Sequence, residues 1–268
     1  LTYQWKKDGV DLAGETNATF NTTDANATQH DGNYSVVVGN DFGSVESGEV
    51  EVKVSDALLN GLVGWWKFDE ANGTVAYDSS GKGNDGNLTN GPTWRVNGKI
   101  GSALSFDGVN DVVIASLPNL NASNISISQS AWIKTDSSKG GLVISTKRIH
   151  DNYGWPTLML NWGKGSIEMD KDNARESFMG SDQINNNEWH FICGIKDQNN
   201  YLIYVDGILS NSGTSTSSFS ATNEIWIGSH GGTSPWSVWG FNGLIDDVRN
   251  YDRALSAAEV QALYNLGQ

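Results

Sequence analysis

"GLIDDVRNYDRALSAAEVQALYNL", residues 243–266, holds two periodicities in one short stretch. Its first half alternates, placing Leu244, Asp246 and Val248 on one face and Ile245, Asp247, Arg249 and Tyr251 on the other, the period of a strand. After Arg253 the spacing changes. Ser256 and Glu259 have the offset of a capping box, and Val260, Leu263 and Tyr264 form an apolar stripe at helical spacing. The stretch therefore predicts a strand that turns into one short helix. No second helical signal appears upstream, where short β-branched and aromatic runs recur between turn clusters: "YSVVVGN", "VEVKV", "VGWWKF", "ALSFDG", "DVVIA", "ISISQSAWIK", "GLVIST", "LMLNW", "WHFICGI", "YLIYVDG", "EIWIGS". That is the pattern of an all-β antiparallel sandwich closed by a C-terminal helix.

The composition narrows the possible partners. The 268 residues are 38% hydrophobic and 18% charged, and no apolar run approaches the ~18 residues of a membrane span, so membrane insertion is not expected. Seventeen basic residues against 31 acidic give a net charge of −14. With no basic stripe interleaved with aromatics, nucleic acid is excluded as a partner. An acidic surface suits a secreted or cell-surface protein and offers carboxylates to a hard cation such as calcium. Cys193 is the only cysteine, which rules out a disulfide framework and a thiolate zinc site. Within "WHFICGIK", Trp189, Phe191, Cys193 and Ile195 share a strand face, so Cys193 reads as a small buried hydrophobe.

Residues 1–54 read apart from the rest. "YQWKKDGVDL" and "DGNYSVVVGNDFGSVESGEVEVKV" resemble the later strands of an immunoglobulin-like domain, with Trp5 as the core indole, Asp31-Gly32-x-Tyr34 as a tyrosine corner and Val36 where that family has its second cysteine. The strands expected before Trp5 are absent from the sequence, so this is an incomplete Ig-like domain, a spacer. "SDALLNG", residues 55–61, is the expected linker to a second domain over residues 62–268.

In that second part, "GLVGWWKFDEANGTVAYDSSGKGNDGNL", "GKIGSALSFDGVNDVVI", "AWIKT", "NNEWHFICGIKDQNNYLIYVDGIL", "EIWIGS" and "FNGLIDDVRNYDRALSAAEVQALYN" resemble, in order and spacing, the bacterial LamG-like jelly-roll domains of the concanavalin A-like superfamily. The resemblance covers residues 61–266. It implies two packed antiparallel sheets, one of them curved, in a family whose members mostly bind carbohydrate or protein and often carry calcium. A minority of the wider superfamily are glycoside hydrolases and polysaccharide lyases.

The strand "GLIDDV" places Asp246 between two aliphatics, and a buried carboxylate is costly unless it is hydrogen-bonded or bound to a cation. "WKFDE" offers Asp69, and the turn "YDSSGKGNDGN" offers Asp78 and Asn84, all oxygen donors suited to calcium. Asp69, Asp78, Asn84 and Asp246 are thus the candidate metal ligands, and the resemblance adds a structural calcium tying first and last strands. The competing reading is that Asp78 and Ser80 form an Asx-type turn while Asp246 accepts backbone hydrogen bonds.

The tryptophans divide by context. Trp132, Trp189, Trp226 and one of Trp65 and Trp66 fall in strands, where a buried indole is the default, and Trp94 also reads as structural. Trp155 in "RIHDNYGWP", Trp162 in "LNWGKG", and Trp236 and Trp239 in "SHGGTSPWSVWGFNG" lie in or beside loops. An indole held flat there can stack on the C–H face of a pyranose while polar groups hold its hydroxyls. The candidate ligand-binding set is Arg148, His150, Asn152, Tyr153, Trp155, Trp162, Trp236 and Trp239, with Asp151 in the same loop. These residues imply a polysaccharide or oligosaccharide partner and a monomeric module. The alternatives are a lid on the core or a protein contact.

"SIEMDKD" places Glu168, Asp170 and Asp172 on one strand face, close to the carboxylate run of retaining glucanases in the same superfamily. The last position is Asp, shorter in reach than Glu, and the segment lacks the bulky residues that flank the hydrolase motif. No catalytic residue is assigned. The expectation is a non-catalytic carbohydrate-binding module of a secreted bacterial protein. A polysaccharide hydrolase or lyase and a laminin-G-like adhesion domain are the alternatives.

Overall fold

The computed structural model describes residues 1–22, 30–52, 56–118, 126–146, 157–171, 174–216, 223–229 and 239–268. The chain forms two compact units, Leu1–Asn60 and Gly61–Gln268.

The small unit is one antiparallel sheet of β1 (Thr2–Lys7), β2 (Val10–Asp11), β3 (Gly32–Asn40), β4 (Gly43–Glu46) and β5 (Val50–Val52). The order is β2-β1-β3-β4, with β5 also on β3. The Tyr34 hydroxyl donates to the His30 carbonyl four residues back, at 3.0 Å. Phe20 lies between Trp5 and Tyr34, with ring centroids 6.0 and 5.6 Å away. These rings, with Val36, Val50 and Val52, line a groove of about 500 Å³. Among the described residues of this unit no second sheet covers that apolar face.

The large unit contains β6 (Leu62–Trp66), β7 (Val75–Ala76), β8 (Gly86–Thr89), β9 (Thr93–Arg95), β10 (Ala103–Asp107), β11 (Val112–Ser116), β12 (Ile127–Lys134), β13 (Gly141–Thr146), β14 (Thr157–Asn161), β15 (Lys164–Lys171), β16 (Ala174–Met179), β17 (Trp189–Asp197), β18 (Asn200–Val205), β19 (Ile208–Thr214), β20 (Glu224–Ile227), β21 (Asn242–Tyr251) and the helix α1 (Ala257–Asn265). One sheet runs β19-β18-β17-β12-β21-β10-β9 with β6 on β21, the other β16-β15-β14-β13-β20-β11-β8-β7. The fold of this unit is all-β, an antiparallel sandwich of the concanavalin A-like jelly-roll type with, among its described residues, one short α-helix. Leu104, Ile133, Ile192, Ile203 and Val248 from the first sheet meet Val113, Ile144, Leu158, Ile167 and Ile227 from the second in one buried core. Apolar side chains on the facing sides of two sheets are what period-two patterning produces.

The helix forms where the capping box predicts. Ser256 Oγ accepts from the Glu259 N–H at 3.3 Å, and Glu259 Oε2 accepts from the Ser256 N–H at 2.8 Å. The helix covers the other face of the first sheet. Trp132 packs between Phe191 and Tyr264, with centroids 5.5 and 5.6 Å away. Strand β17 is consequently buried on both faces, Ile192 in the sandwich and Phe191 and Cys193 opposite. Burial pushes the Cys193 thiol far up, as befits an inert hydrophobe.

Two expectations need correction. The uninterrupted alternation read along β21 breaks at a bulge, where the register with β12 shifts between Ser130 and Trp132 and Asp247 takes φ 46°. The extra residue reverses the phase, so Ile245 and Val248, expected on opposite faces, share the core. Trp66 and Trp132 are sealed at 0% and 1% exposure, whereas Trp189 and Trp226 are only half-buried. Ile225 and Ile227 take the core positions of β20, so Trp226 points away from the core, its Nε1 donating to Glu224 Oε2 at 3.3 Å.

Candidate functional site

Strands β14 and β15 form a hairpin in which Asn161 pairs with Lys164, leaving Trp162 and Gly163 as a two-residue loop. Both have positive φ, 52° and 78°, the signature of a type I′ turn. Asn-Gly is the favoured pair for that turn. A Trp in the left-handed region costs about 1 kcal/mol. The tip is held from behind, with the Ile184 N–H donating to the Gly163 carbonyl at 2.8 Å and the Gly180 N–H to the Gly165 carbonyl at 2.8 Å. A Cβ on Gly163 would press on the side-chain ends of Gln183 and Asn185, which would have to move aside, and the positive φ itself favours glycine there. The strained, pinned turn carries its indole outward at 73% exposure.

Trp239 comes to the same place from the other end of the sequence. Its carbonyl accepts from the Leu142 N–H at 2.8 Å, and Gly240 bridges Leu142, which fastens the segment alongside β13. The indole lies over Gly140, where a Cβ would stand 2.6 Å from Cζ3. The turn holding Gly140 is itself fastened. Thr135 Oγ1 donates to the Asn242 carbonyl at 2.6 Å, Asn185 Nδ2 to the Ser137 carbonyl at 3.2 Å, and the Asn187 N–H to the Thr135 carbonyl at 2.9 Å. Lys139, Gly140, Asn161, Trp162 and Trp239 line a cleft of about 240 Å³. Asn161 Nδ2 donates to Glu168 Oε1 at 2.7 Å, leaving the amide oxygen as an acceptor.

Of the residues predicted to bind ligand, the structure brings Trp162 and Trp239 together. Arg148, His150, Asp151, Asn152, Tyr153, Trp155 and Trp236 lie outside the described residues. Lys139, Gly140 and Asn161 were not predicted. The readable signal was "NWGK", a two-residue loop between strands with Trp in a position that favours Asn. Glu168 is 4% exposed and takes the Asn161 hydrogen bond. The side chain of Asp170 and all of Asp172 lie outside the description.

The four predicted metal ligands each have a visible local role. Asp78 Oδ1 accepts from the Trp65 and Ser80 N–H groups at 2.9 and 2.8 Å, and Oδ2 from Ser80 Oγ and the Asn84 N–H at 2.7 and 2.9 Å. Burial alone would raise this carboxyl, but the donors of Asn84, Ser80 and Trp65 outweigh it and hold the group below its usual range. Asn84 Nδ2 donates to the Val63 carbonyl at 2.7 Å, and Asp69 Oδ1 accepts the Ser102 N–H at 2.8 Å. Asp246 Oδ2 accepts the Lys99 and Ile100 N–H groups at 2.7 and 2.8 Å, while its Oδ1 is buried without a partner. Burial, offset in part by the Ile100 N–H and reinforced by the neighbouring Asp247 charge, pushes Asp246 up to about 7. The donors are hard oxygens, the right chemistry for calcium. As placed, Asp69, Asp78 and Asp246 do not gather into one group: among the described residues no three His, Cys, Asp or Glu do.

The family model described as Laminin_G_3, concanavalin A-like lectin/glucanases superfamily, matches residues 106–261. No curated protein matches the chain. Several solved structures are similar. The binding domain of Paraclostridial Mosquitocidal Protein 1 superposes with a TM-score of 0.63 at 19% identity, over 78% of this chain and 52% of that one. The botulinum neurotoxin serotype D binding domain gives 0.59 at 17% identity, over 77% and 52%. The binding domain of botulinum neurotoxin DC in complex with SialylT gives 0.60 at 14%, over 79% and 52%. This chain spans about half of each, and at such identities the likeness is one of fold.

Proposed function

From the premise that the chain belongs to the Laminin_G_3 family of the concanavalin A-like lectin/glucanases superfamily, we propose that Gly61–Gln268 is a non-catalytic carbohydrate-binding module. The observation that carries this is Trp162, a large apolar ring held in solvent on a strained turn beside a second indole. Such strain persists where the surroundings over-determine it, and it concentrates at ligand sites. Two indoles supply apolar faces for a pyranose, and the Asn161 oxygen accepts a hydroxyl. The similar solved structures are binding domains, one in complex with SialylT, which supports the same class of activity here. Glu168, the strongest candidate for an acid or nucleophile, is buried and hydrogen-bonded, which favours binding over hydrolysis.

The setting proposed is a secreted or cell-surface bacterial protein in which the sheet of residues 1–54 is an Ig-like spacer. The Tyr34-to-His30 hydrogen bond supports that resemblance. Trp162→Ala and Trp239→Ala should each weaken glycan binding by about tenfold or more in affinity electrophoresis, with the melting temperature of the Trp162 variant unchanged. Retained binding in both would overturn the reading. A structural calcium rests on the resemblance and on the oxygen-only chemistry of Asp69, Asp78, Asn84 and Asp246. If it is present, EDTA lowers the melting temperature. An unchanged midpoint removes it.

A further inference from the structure

We infer that the Trp162–Trp239 cleft selects a sugar bearing an anionic group, a carboxylate or a sulfate, through Lys139. This deepens the carbohydrate reading and rests on it. The chain has 31 acidic and 17 basic residues, so a random ionic lining would favour acid. Among the described residues, the one ionic side chain that lines the cleft is Lys139. Its ammonium makes no ion pair among them, and Lys164, one step past the hairpin tip, is likewise unpaired. Glu168, on the hairpin's second strand, is buried and engaged by Asn161 Nδ2. Asp136 is exposed on the same turn as Lys139.

The position of Lys139 is built. Its N–H donates to Ser137 Oγ at 3.2 Å, the Ser137 N–H donates to Thr135 Oγ1 at 3.0 Å, and Asn185 holds the Ser137 carbonyl. The backbone under the ammonium is therefore fixed against the same 183–187 segment that pins Gly163. A lysine presents a compact point charge with three donors on a flexible stem, suited to meeting an oxyanion at the edge of an apolar stack. Lys139 is exposed, so its attraction for an oxyanion is screened by solvent and weakens as salt is added. Because the protein as a whole repels anions, attraction at this point would discriminate between sugars.

The test uses short ligands, so that the repulsion of a polymer does not intervene. Disaccharides ending in glucose, glucuronic acid or sulfated glucose are titrated into the full chain, and the indole N–H resonances are followed by NMR. The inference expects both acidic sugars to bind more tightly than the neutral one. Lys139→Gln should remove that preference by weakening the acidic sugars about tenfold, and Lys139→Arg should restore it. The ranking of carboxylate against sulfate identifies the group preferred. Equal affinity for all three sugars, with loss of binding in Trp162→Ala, overturns the anionic preference and leaves the carbohydrate reading standing. An acidic preference that survives Lys139→Gln overturns the role of Lys139. Resonances unmoved by any of the sugars overturn both readings.

Discussion

Trp132 and Trp162 are the same side chain in the same sandwich, and the structure treats them oppositely. Trp132 is 1% exposed, between Phe191 and Tyr264 with Lys99 4.7 Å over its ring. Trp162 is 73% exposed on a left-handed turn. Both begin on or beside a strand of the large unit, and neither lies in the sandwich core. What separates them is the layer the chain lays on top. α1 closes over the outer face of the first sheet, while among the described residues the hairpin tip of the second leaves its indole exposed beside a cleft. An indole beside a sheet is sealed where another element packs on it and stays exposed where none of the described residues does.

Three experiments strain this contrast, in order of expected effect. Trp132→Ala should cost about 3–5 kcal/mol in denaturant unfolding, the range for emptying a large aromatic site. A cost near that of an exposed site would mean that the helix does not seal it. The seal should also weaken in acid. The hydrogen bond from Arg253 comes first among the causes that hold Glu259 down to about 2, against an ordinary 4.5. Its folded value is depressed, so its stabilisation is present above about pH 4.5 and is lost as the pH falls toward 2. Glu259→Gln should therefore flatten the acid limb of stability by on the order of 1 kcal/mol, given its partial exposure. An unchanged limb would detach the Arg253–Glu259 pair from the stability of the cap. Trp162→Asn should go the other way, raising stability by roughly 0.5–1 kcal/mol as the turn gains its favoured residue, while glycan binding falls. Lower stability would show that the indole packs rather than waits.

Much of the fold was legible. The capping box and the period-two runs predicted one helix after a sandwich, because local backbone preferences and apolar alternation act over a few residues. The bulge at Asp247 was not legible, since an inserted residue changes which face every later side chain takes and leaves no mark in composition. Nor was the sorting of Trp65 and Trp66. Trp66 is sealed, while Trp65 donates to Asp247 Oδ1 at 2.6 Å with Arg249 4.5 Å from its ring. That choice depends on a strand 182 residues away.

At the candidate site, the sequence alone picked out Trp162 and Trp239 as loop indoles, because Gly, Ser and Pro around a large ring leave it nothing local to pack on. It also established an acidic, all-β chain with one cysteine and one terminal helix. The Asx-type turn of Asp78 and Ser80 was legible as an alternative, but only the tertiary structure put the two indoles in one cleft with Gly140, Asn161 and Lys139, and only it identified the Lys99 and Ile100 N–H groups as the donors to Asp246. Those pairings join residues far apart in the chain. Proximity of that kind comes from sheet register and packing, which no local pattern of side chains encodes.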